Sequence, residues 1–260
     1  MINKTLFDII IPTHERPELL RRALQSLIAQ TWQEFHVIIV DDSGKYLPPY
    51  LELEQLNGKF THLIRSGTPG PAESRNMGLR LSNAEYVMFL DDDDIFEPNH
   101  LSVLAEFINK SHAELISCNF QIRSEDRSTT PPAMLSNEIF SISGIPQDNV
   151  YVRNHIPNSC ITYRKDVLTG HWHDHSMQIY EDWDFLLACM EGHTIQHVNT
   201  HSVVIHKTPT AEKSNARRGN TRHDLTLEVM LGLYKKYTAP TDSVSMERKN
   251  LLSSAGIYTD

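Results

Sequence analysis

Short apolar runs alternate with helix-like segments along the first half of the chain. Runs of strand length lie at 7–11, 36–40, 61–64 and 86–90, and apolar residues recur at helical spacing within 19–28 and 72–81. Strands and helices therefore follow one another as they do in βαβ units. This order predicts an α/β fold in a single large domain, with a doubly wound, mostly parallel sheet flanked by helices.

The pattern is less regular in the second half of the chain. It predicts helices at 100–109, 182–190 and 222–237 and strands at 114–120, 161–163 and 203–205. Ser, Thr and Pro are frequent between 121 and 149, which indicates an extended, mobile excursion that shapes a binding site or covers it. Beyond Ala239 the pattern predicts no element.

Two of the predicted strands end in aspartates. Asp41 and Asp42 follow one strand, and the run from Asp91 to Asp94 follows another. Because parallel strands end at the same edge of a sheet, we expect these carboxylates at the edge where such sheets bind ligands. Four adjacent carboxylates repel one another unless a positive charge lies among them. Because their ligand atoms are all oxygen, they suit Mg²⁺ or Mn²⁺, which is usually shared with a substrate phosphate. The alternative is that the aspartates only stabilise turns and helix ends.

The charge of the chain narrows the classes of function. The 260 residues carry a formal net charge of −9. The segments 41–42, 91–94 and 181–184 together hold nine carboxylates, a number equal to this net negative charge. A general nucleic-acid binder needs a basic face, so this class is excluded. If the three segments converge in space, the acidity is local and calls for a cation.

Several features predict a cytoplasmic location. No run of about 18 apolar residues is present, so we expect no transmembrane segment. The polar start of the chain lacks the regions of a signal peptide. The three cysteines, Cys118, Cys160 and Cys189, are too scattered for a zinc site or a disulfide framework.

Five motifs identify a family. They are Pro12-Thr13, Val40 to Ser43, Ala72 to Gly78, Phe89 to Asp94 and Tyr180 to Phe185, in this order. Over residues 5–210 the chain closely resembles the GT-A fold glycosyltransferases of family 2, which take a sugar from a nucleotide-activated donor and mostly invert its anomeric centre. The resemblance implies a Rossmann-like GT-A fold, Mn²⁺ or Mg²⁺ as cofactor, and UDP as the nucleotide.

The resemblance also implies a donor site. Its nucleotide-sugar-binding residues would be Pro12, Thr13, Arg16, Asp41, Asp42, Arg75, Asp91 and Asp92. We expect Asp42 against the base with Asp41 beside it, because a carboxylate accepts the N3–H of uracil well. Arg75 would reach the diphosphate, which a guanidinium binds bidentately. The alternatives are that Asp41 and Asp42 cap a turn and that Arg75 is a solvated helix arginine.

A metal site follows from the Asp-x-Asp motif of the family. The motif maps onto Asp91, toward the ribose, and Asp93, on the metal, although Asp92 could replace either. Asp94 is expected to cap the next turn. His206 resembles the family's histidine that completes the metal shell, with a structural hydrogen-bonding role as the alternative.

Glu181 and Asp182 begin a predicted helix. An inverting transferase needs one carboxylate to take the proton of the acceptor hydroxyl. The resemblance assigns this role to Asp182, with Glu181 orienting the acceptor or tuning the pKa of its neighbour. An acidic first turn that complements the helix dipole is the structural alternative.

Two further segments have open roles. The basic stretch at 207–222 is either a flexible loop that closes over the diphosphate or a solvated surface run. His171, His173 and His175 would face a common zinc ion only on a strand, and the alternating apolar pattern of a strand is missing there. We therefore expect these histidines in an acceptor-side loop.

We expect residues 1–120 to form the nucleotide-sugar-binding half, 121–237 the acceptor-binding and catalytic half, and 238–260 a C-terminal tail. The expected partners are a nucleotide sugar donor and a glycan or lipid-linked acceptor, with peripheral contact at the inner membrane face. The alternatives are a catalytically silent nucleotide-sugar-binding or scaffold subunit, a nucleotidyltransferase and an Asp-dependent phosphohydrolase. The last two would place a Gly-rich basic loop or the Asp motif after the first strand, where neither is found.

Overall fold

A computed structural model describes residues 5–45, 48–208 and 225–257. The strands of this part of the chain are β1 (Phe7–Thr13), β2 (Phe35–Asp41), β3 (Phe60–Ile64), β4 (Tyr86–Phe89), β5 (Ile95–Phe96), β6 (Leu115–Asp126), β7 (Ala133–Phe140), β8 (Ile161–Arg164) and β9 (Ile195–Lys207). Its α-helices are α1 (Pro17–Ile28), α2 (Tyr50–Gln55), α3 (Pro71–Leu81), α4 (His100–Ser111), α5 (Glu181–Cys189), α6 (Thr226–Lys236) and α7 (Asp242–Ser254). The predicted α/β class is confirmed.

All the described strands belong to one sheet in the order β3-β2-β1-β4-β8-β6-β9-β5, with β7 paired to β6. β1 is parallel to β2 and β4, β2 to β3, and β6 to β9. The strand β8 is antiparallel to both β4 and β6 and joins the two parallel parts. The chain runs outward from β1 to β3 and then returns to the other side of β1 as β4. The ends of β1 and β4 therefore flank a topological switch point, where open α/β sheets bind ligands.

The apolar runs form strands because both faces of the sheet are covered. All seven residues of β1 and all four of β4 are buried, as expected for central parallel strands. Helix α1 begins with Pro17, whose fixed φ suits a first helical position. It buries Leu20, Ala23, Leu24 and Leu27, the stripe that its 3.6-residue period predicts. The three cysteines are also buried and form no disulfide.

A buried carboxylate fixes the connection that leads into β4. Asp8 is 4% exposed and accepts hydrogen bonds from the Ser82 hydroxyl at 2.8 Å and from the backbone N–H groups of Asn83 at 2.6 Å and Ala84 at 2.8 Å. A carboxylate with several donors is stabilised although it is buried. Asp8 thereby sets where β4 begins, and with it the position of the aspartates that follow this strand.

The excursion expected at 121–149 has regular secondary structure over much of its length. β6 continues to Asp126 and returns antiparallel as β7, so the segment is largely a β-hairpin. Nearly every residue of β7 is exposed, including Met134, Leu135 and Ile139 at 57–68%. Strand recognition from sequence relies on one face being buried, and this hairpin lacks such a face.

The segment beyond Ala239, where the sequence pattern predicts no element, contains helix α7. The Thr241 hydroxyl caps this helix by accepting from the Val244 N–H at 3.3 Å. Arg248 is buried and donates to the carbonyls of Tyr151 and Tyr237, each at 2.8 Å. The helix is therefore bound to the domain by a polar anchor, which an apolar periodicity does not reveal. The short α2 and β5 were also not predicted.

Gly78 lies where α3 crosses β1, and a Cβ there would overlap the Ile10 side chain. We expect Gly78→Ala to destabilise the protein by about 1–3 kcal/mol through overpacking. Gly232→Ala in α6 is the matched control, because its Cβ would meet no atom within 4 Å. That change should stabilise by about 0.5–1 kcal/mol through helix propensity. Urea denaturation measures both, and equal effects of the two changes would contradict the close packing of α3 on β1.

Candidate active site

Asp92 ties the end of β1 to the aspartate run. Its Oδ2 accepts from Thr13 Oγ1 at 2.7 Å and from Arg16 Nε at 3.2 Å, and its Oδ1 accepts from Arg16 Nη2. The residue is 0% exposed, and this burial, reinforced by Asp93, raises the pKa of Asp92 to about 7 although Arg16 opposes the shift. Both carboxylate oxygens are thus engaged by the protein.

The other three aspartates of the run converge. Asp91, Asp93 and Asp94 each place a carboxylate oxygen within 4.8 Å of the other two, and no other group of three His, Cys, Asp or Glu residues among the described residues could hold a metal ion. Oxygen-only ligands at this spacing fit a hard divalent cation such as Mg²⁺ or Mn²⁺. Asp91 and Asp93 thus lie together as predicted, with Asp94 in the group in place of Asp92.

Asp94 differs from the expectation that it caps the next turn. Its Oδ2 accepts from Ser159 Oγ at 3.0 Å and its Oδ1 from the backbone N–H of His206 at 3.1 Å. Helix α4, the next helix, is preceded by Asn99 at its N-cap position. Asp94 is therefore held by two groups from the second half of the chain, and this orients its carboxylate within the triplet.

His206 lies in β9 rather than after it, and it is not part of the carboxylate triplet. Burial, together with the charge of Arg22, lowers the pKa of His206 to about 4. The imidazole is therefore neutral at pH 7, the form that binds metals. Its buried Nδ1 has no hydrogen-bond partner within the described residues. The ligand role stays a prediction.

Arg75 joins the aspartate run to the acidic start of α5. The guanidinium is 5% exposed, and it donates from Nη1 to Glu181 Oε1 and from Nη2 to Asp91 Oδ1, each at 2.8 Å. It is therefore not the solvated arginine of the structural alternative. The two segments, about ninety residues apart in sequence, are connected by one buried cation.

Asp182 lies beside this bridge in the first turn of α5. Burial, with the charges of Glu181 and Asp91, raises the pKa of Asp182 to about 6 against the opposing effect of Arg75. Its Oδ1 accepts from the Trp183 N–H at 2.8 Å. A carboxylate with this pKa is mostly ionised at pH 7 and is more basic than an ordinary aspartate. It is therefore suited to accept a proton.

The third acidic residue of this turn has a structural role. Asp184 is buried, and its carboxylate accepts from Lys236 Nζ at 2.6 and 2.9 Å and from the Tyr237 hydroxyl at 2.9 Å. These contacts attach α5 to α6. The roles of Asp184 and Asp182 could not be separated from sequence alone, because both are acidic residues of one helical turn.

Asp41 and Asp42 have different surroundings at the end of β2. Asp42 is buried and accepts from Arg65 Nη2 at 3.1 Å and the Gly70 N–H at 2.5 Å, and its Oδ1 lies 2.5 Å from His14 Nδ1. Asp41 accepts from the Ser43 N–H at 2.8 Å, as the turn-cap alternative expected. Asp42 therefore holds together the loops that follow three neighbouring strands.

A cavity of about 260 Å³ lies next to these loops. Its lining comprises Thr13, Glu15, Arg16, Pro17, Leu20, Asp41, Ser43 and Lys45. Three of the predicted nucleotide-binding residues, Thr13, Arg16 and Asp41, thus line one cavity, whereas Asp42 does not. Arg65 was not predicted as a residue of the site. It directly follows β3, as Asp42 directly follows β2, and this position at the end of a parallel strand could have identified it.

The three histidines around residue 173 do not form a metal site. His173 is buried with its ring stacked on Phe185 at 4.0 Å and edge-on to Phe89 at 5.0 Å. Its backbone exchanges two hydrogen bonds of 2.8 Å with the Asn76 side chain. His173 therefore lies in an irregular segment, as expected, but its side chain is buried in the core.

Two sequence predictions concern other parts of the chain. Residues 209–222, which make up most of the basic stretch at 207–222, lie outside the described residues. Within the described residues, every helix is too short or too polar to cross a bilayer.

Comparison with known proteins shows the family of the chain. The sequence profile of “Glycosyl transferase family 2” matches residues 8–172. The putative colanic acid biosynthesis glycosyl transferase WcaA of Escherichia coli strain K12 is 28% identical over 228 residues, which cover 80% of this chain and 78% of that protein.

Two solved GT-A glycosyltransferases have the same fold. The crystal structure of S. aureus TarS 1–349 in complex with UDP-GlcNAc superposes with a TM-score of 0.65 and 17% identity, covering 95% of this chain and 71% of that chain. The mannosyltransferase PcManGT of Pyrobaculum calidifontis, in complex with GDP-Man and Mn²⁺, superposes with a TM-score of 0.56 and 12% identity, covering 98% and 76%. With more than half of its length matched by the family profile, the chain belongs to glycosyl transferase family 2.

Proposed function

We propose that this glycosyltransferase moves a sugar from a nucleotide sugar, with UDP as the nucleotide, to a hydroxyl group of a glycan or lipid-linked acceptor, with inversion and with a divalent cation. The observation that carries this proposal is the carboxylate triplet of Asp91, Asp93 and Asp94, bridged by Arg75 to the helix that begins with Glu181 and Asp182. Both ends of this arrangement carry groups that such a transfer needs.

The donor nucleotide would bind in the cavity next to Thr13, Arg16 and Asp41. The likeness to a TarS complex with UDP-GlcNAc supports a nucleotide sugar as the donor. Pro12, at the end of β1, would pack beside the base, and Asp42 would act by holding the surrounding loops. Arg75 would turn a nitrogen toward the diphosphate, where its charge offsets that of the leaving group.

Asp91, Asp93 and Asp94 would hold Mn²⁺ or Mg²⁺, with His206 as a further ligand. When bound, the cation supplies Lewis acidity that offsets charge on the departing nucleoside diphosphate. The mannosyltransferase PcManGT, whose structure contains Mn²⁺, supports a divalent cation. Asp92 would keep the triplet in place through Thr13 and Arg16.

Asp182 would act as the general base. The acceptor hydroxyl gives its proton to the Asp182 carboxylate while its oxygen bonds to the anomeric carbon, and the bond from that carbon to the diphosphate oxygen breaks. The direct displacement inverts the anomeric centre. Glu181 would stay bound to Arg75 and raise the basicity of its neighbour by its charge.

The resemblance to WcaA, named for colanic acid biosynthesis, supports a role in cell-surface polysaccharide biosynthesis. The donor would be bound by residues within 1–120, whereas Asp182 and the acceptor site would come from residues 121–237. With lipid-linked acceptors, the protein would act from the cytoplasm at the inner membrane face.

A thermal-shift panel of UDP- and GDP-sugars, with and without Mn²⁺, tests the proposal. Ligands that bind only the native state stabilise it by mass action, by about 2.7 kcal/mol at a hundredfold excess over Kd. We expect one donor to raise Tm in the presence of Mn²⁺ and far less in EDTA, and Asp93→Asn to remove the effect. If no pair of donor and metal shifts Tm, the proposal is wrong. Mn²⁺-dependent hydrolysis of the binding donor would further exclude a silent subunit.

A further inference from the structure

A second ionic cluster adjoins the carboxylate triplet. Glu125, near the end of β6, is 5% exposed. Its Oε2 accepts from Arg22 Nη1 at 2.6 Å, and its Oε1 accepts from Arg22 Nη2 at 3.1 Å and from Arg127 Nε at 2.7 Å. Two cations thus share one carboxylate, and the cluster carries a surplus positive charge next to the triplet.

The two arginines contact Asp93 in different ways. Arg22 Nη2 donates to the backbone carbonyl of Asp93 at 3.0 Å, so Arg22 holds the chain at this position. Arg127 Nη2 lies 3.5 Å from Asp93 Oδ2, the side-chain carboxylate itself. The Arg127 side chain is 7% exposed. Glu125 holds the Nε of Arg127, and the Nη2 of the same guanidinium is directed toward Asp93 of the triplet.

This position is unfavourable once a divalent cation binds Asp93. A guanidinium within a few ångströms of a doubly charged ion is repelled, because like charges interact strongly where burial lowers the effective dielectric constant. The repulsion is relieved if an anion comes between them. A diphosphate bound to the cation provides that anion, and an arginine binds it with directed hydrogen bonds.

We propose that Arg127 is a donor-binding residue that contacts Asp93 when the site is empty and binds the diphosphate of the donor when the cation is present. The proposal rests on the proposed function, because it takes a nucleoside diphosphate as the ligand. Arg127 then couples the two binding events. It disfavours the cation alone and favours the cation together with the diphosphate.

Binding measurements on Arg127→Gln test this coupling without measuring activity. The probes are Mn²⁺ alone, followed by electron paramagnetic resonance, and UDP, GDP and uridine at saturating Mn²⁺, followed by calorimetry. We expect Arg127→Gln to bind Mn²⁺ alone about three- to tenfold more tightly, because a nearby positive charge is lost. We expect UDP or GDP to bind about tenfold more weakly, a loss of about 1.4 kcal/mol. Uridine, which has no phosphate, should bind equally to both proteins.

Two further variants serve as controls. Arg80→Gln removes the same charge from α3, where Arg80 pairs with Glu73 and is half exposed, and it should leave all these constants unchanged. Arg127→Lys keeps the charge but not the planar fork, so Mn²⁺ should bind as to the wild type and UDP about threefold more weakly. This variant also serves if Arg127→Gln does not fold.

The proposed coupling requires that Arg127→Gln strengthen the binding of Mn²⁺ alone and weaken the binding of UDP and GDP. If Arg127→Gln binds Mn²⁺ alone no more tightly than the wild type, or binds UDP and GDP as well as the wild type does, the proposed role of Arg127 is wrong. If the wild type binds Mn²⁺ but neither nucleotide, the proposed donor fails instead, and the Mn²⁺ constants alone decide whether Arg127 opposes the cation. A wild type that binds no Mn²⁺ overturns both.

Discussion

Asp182→Asn is expected to lower the rate of sugar transfer by about 10³-fold, within the 10²–10⁴ range of general-base catalysis. The amide has the same shape but cannot take a proton from the acceptor hydroxyl. Donor binding should change little, because the Asp91–Arg75–Glu181 bridge does not include Asp182. Steady-state rates with the donor found by thermal shift, and donor hydrolysis as a second measure, give this result.

The pH dependence follows from the raised pKa of Asp182. Below a pKa of about 6 the carboxylate is protonated, so the wild-type rate should fall as the pH falls through 6. The folded state also binds this proton more readily than the unfolded state, so stability is lost as the pH rises from about 4 through 6. Asp182→Asn removes that loss and should stabilise the protein by about 1–3 kcal/mol at pH 8. A simultaneous loss of rate and gain of stability is the expected result.

Asp184→Asn is the matched control for this substitution. It lies in the same helical turn, and its contacts with Lys236 and Tyr237 are structural. The folded fraction of this variant should retain the transfer rate within a few fold while its stability falls. If Asp184→Asn lost as much rate as Asp182→Asn, or if Asp182→Asn kept the wild-type rate, the assignment of the base would be wrong.

Arg75→Met is expected to destabilise the protein by about 3–5 kcal/mol, the usual cost of removing one partner of a buried ion pair. The substitution leaves the partly buried carboxylates of Asp91 and Glu181 without the guanidinium that bridges them. The comparison is Arg80→Met, which removes a half-exposed arginine of the same helix and should change stability by less than about 1 kcal/mol. Urea denaturation in EDTA measures both changes.

A double mutant separates the loss of the ion pair from the loss of packing. Glu181→Gln in the Arg75→Met background removes one of the two uncompensated charges, so it should recover part of the lost stability. No recovery would indicate that the methionine fails for steric reasons. Equal stabilities of Arg75→Met and Arg80→Met would contradict the structural importance of the bridge.

The central part of the fold was predictable from the sequence because its strands are buried on both faces. The apolar runs of β1, β2 and β4 leave few alternatives to a covered parallel sheet. The β6–β7 hairpin and α7 were not predicted for the opposite reason. The strand β7 is exposed almost throughout, and α7 is anchored by the buried Arg248 rather than by an apolar stripe.

The position of the candidate site was also predictable, since Asp41 ends β2 and Asp91 follows β4, and both strands are parallel to β1 between them. The orientation of each aspartate in the run was not. It depends on contacts with Thr13, Ser159 and the backbone of His206, all more than sixty positions away in sequence. No spacing rule gives such contacts, and for the same reason Arg65 and Arg127 were not identified as neighbours of the site.

The enclosure of all three thiols has a practical consequence. The thiolate is the form that reacts, and burial raises the pKa of the Cys189 thiol well above its usual range. Cys118 and Cys160 are likewise covered, at 1% and 2% exposure. Maleimide or nitroxide reagents should therefore leave the native cysteines unmodified. A single cysteine introduced at the exposed Leu135 would carry a spectroscopic label without first replacing the native ones.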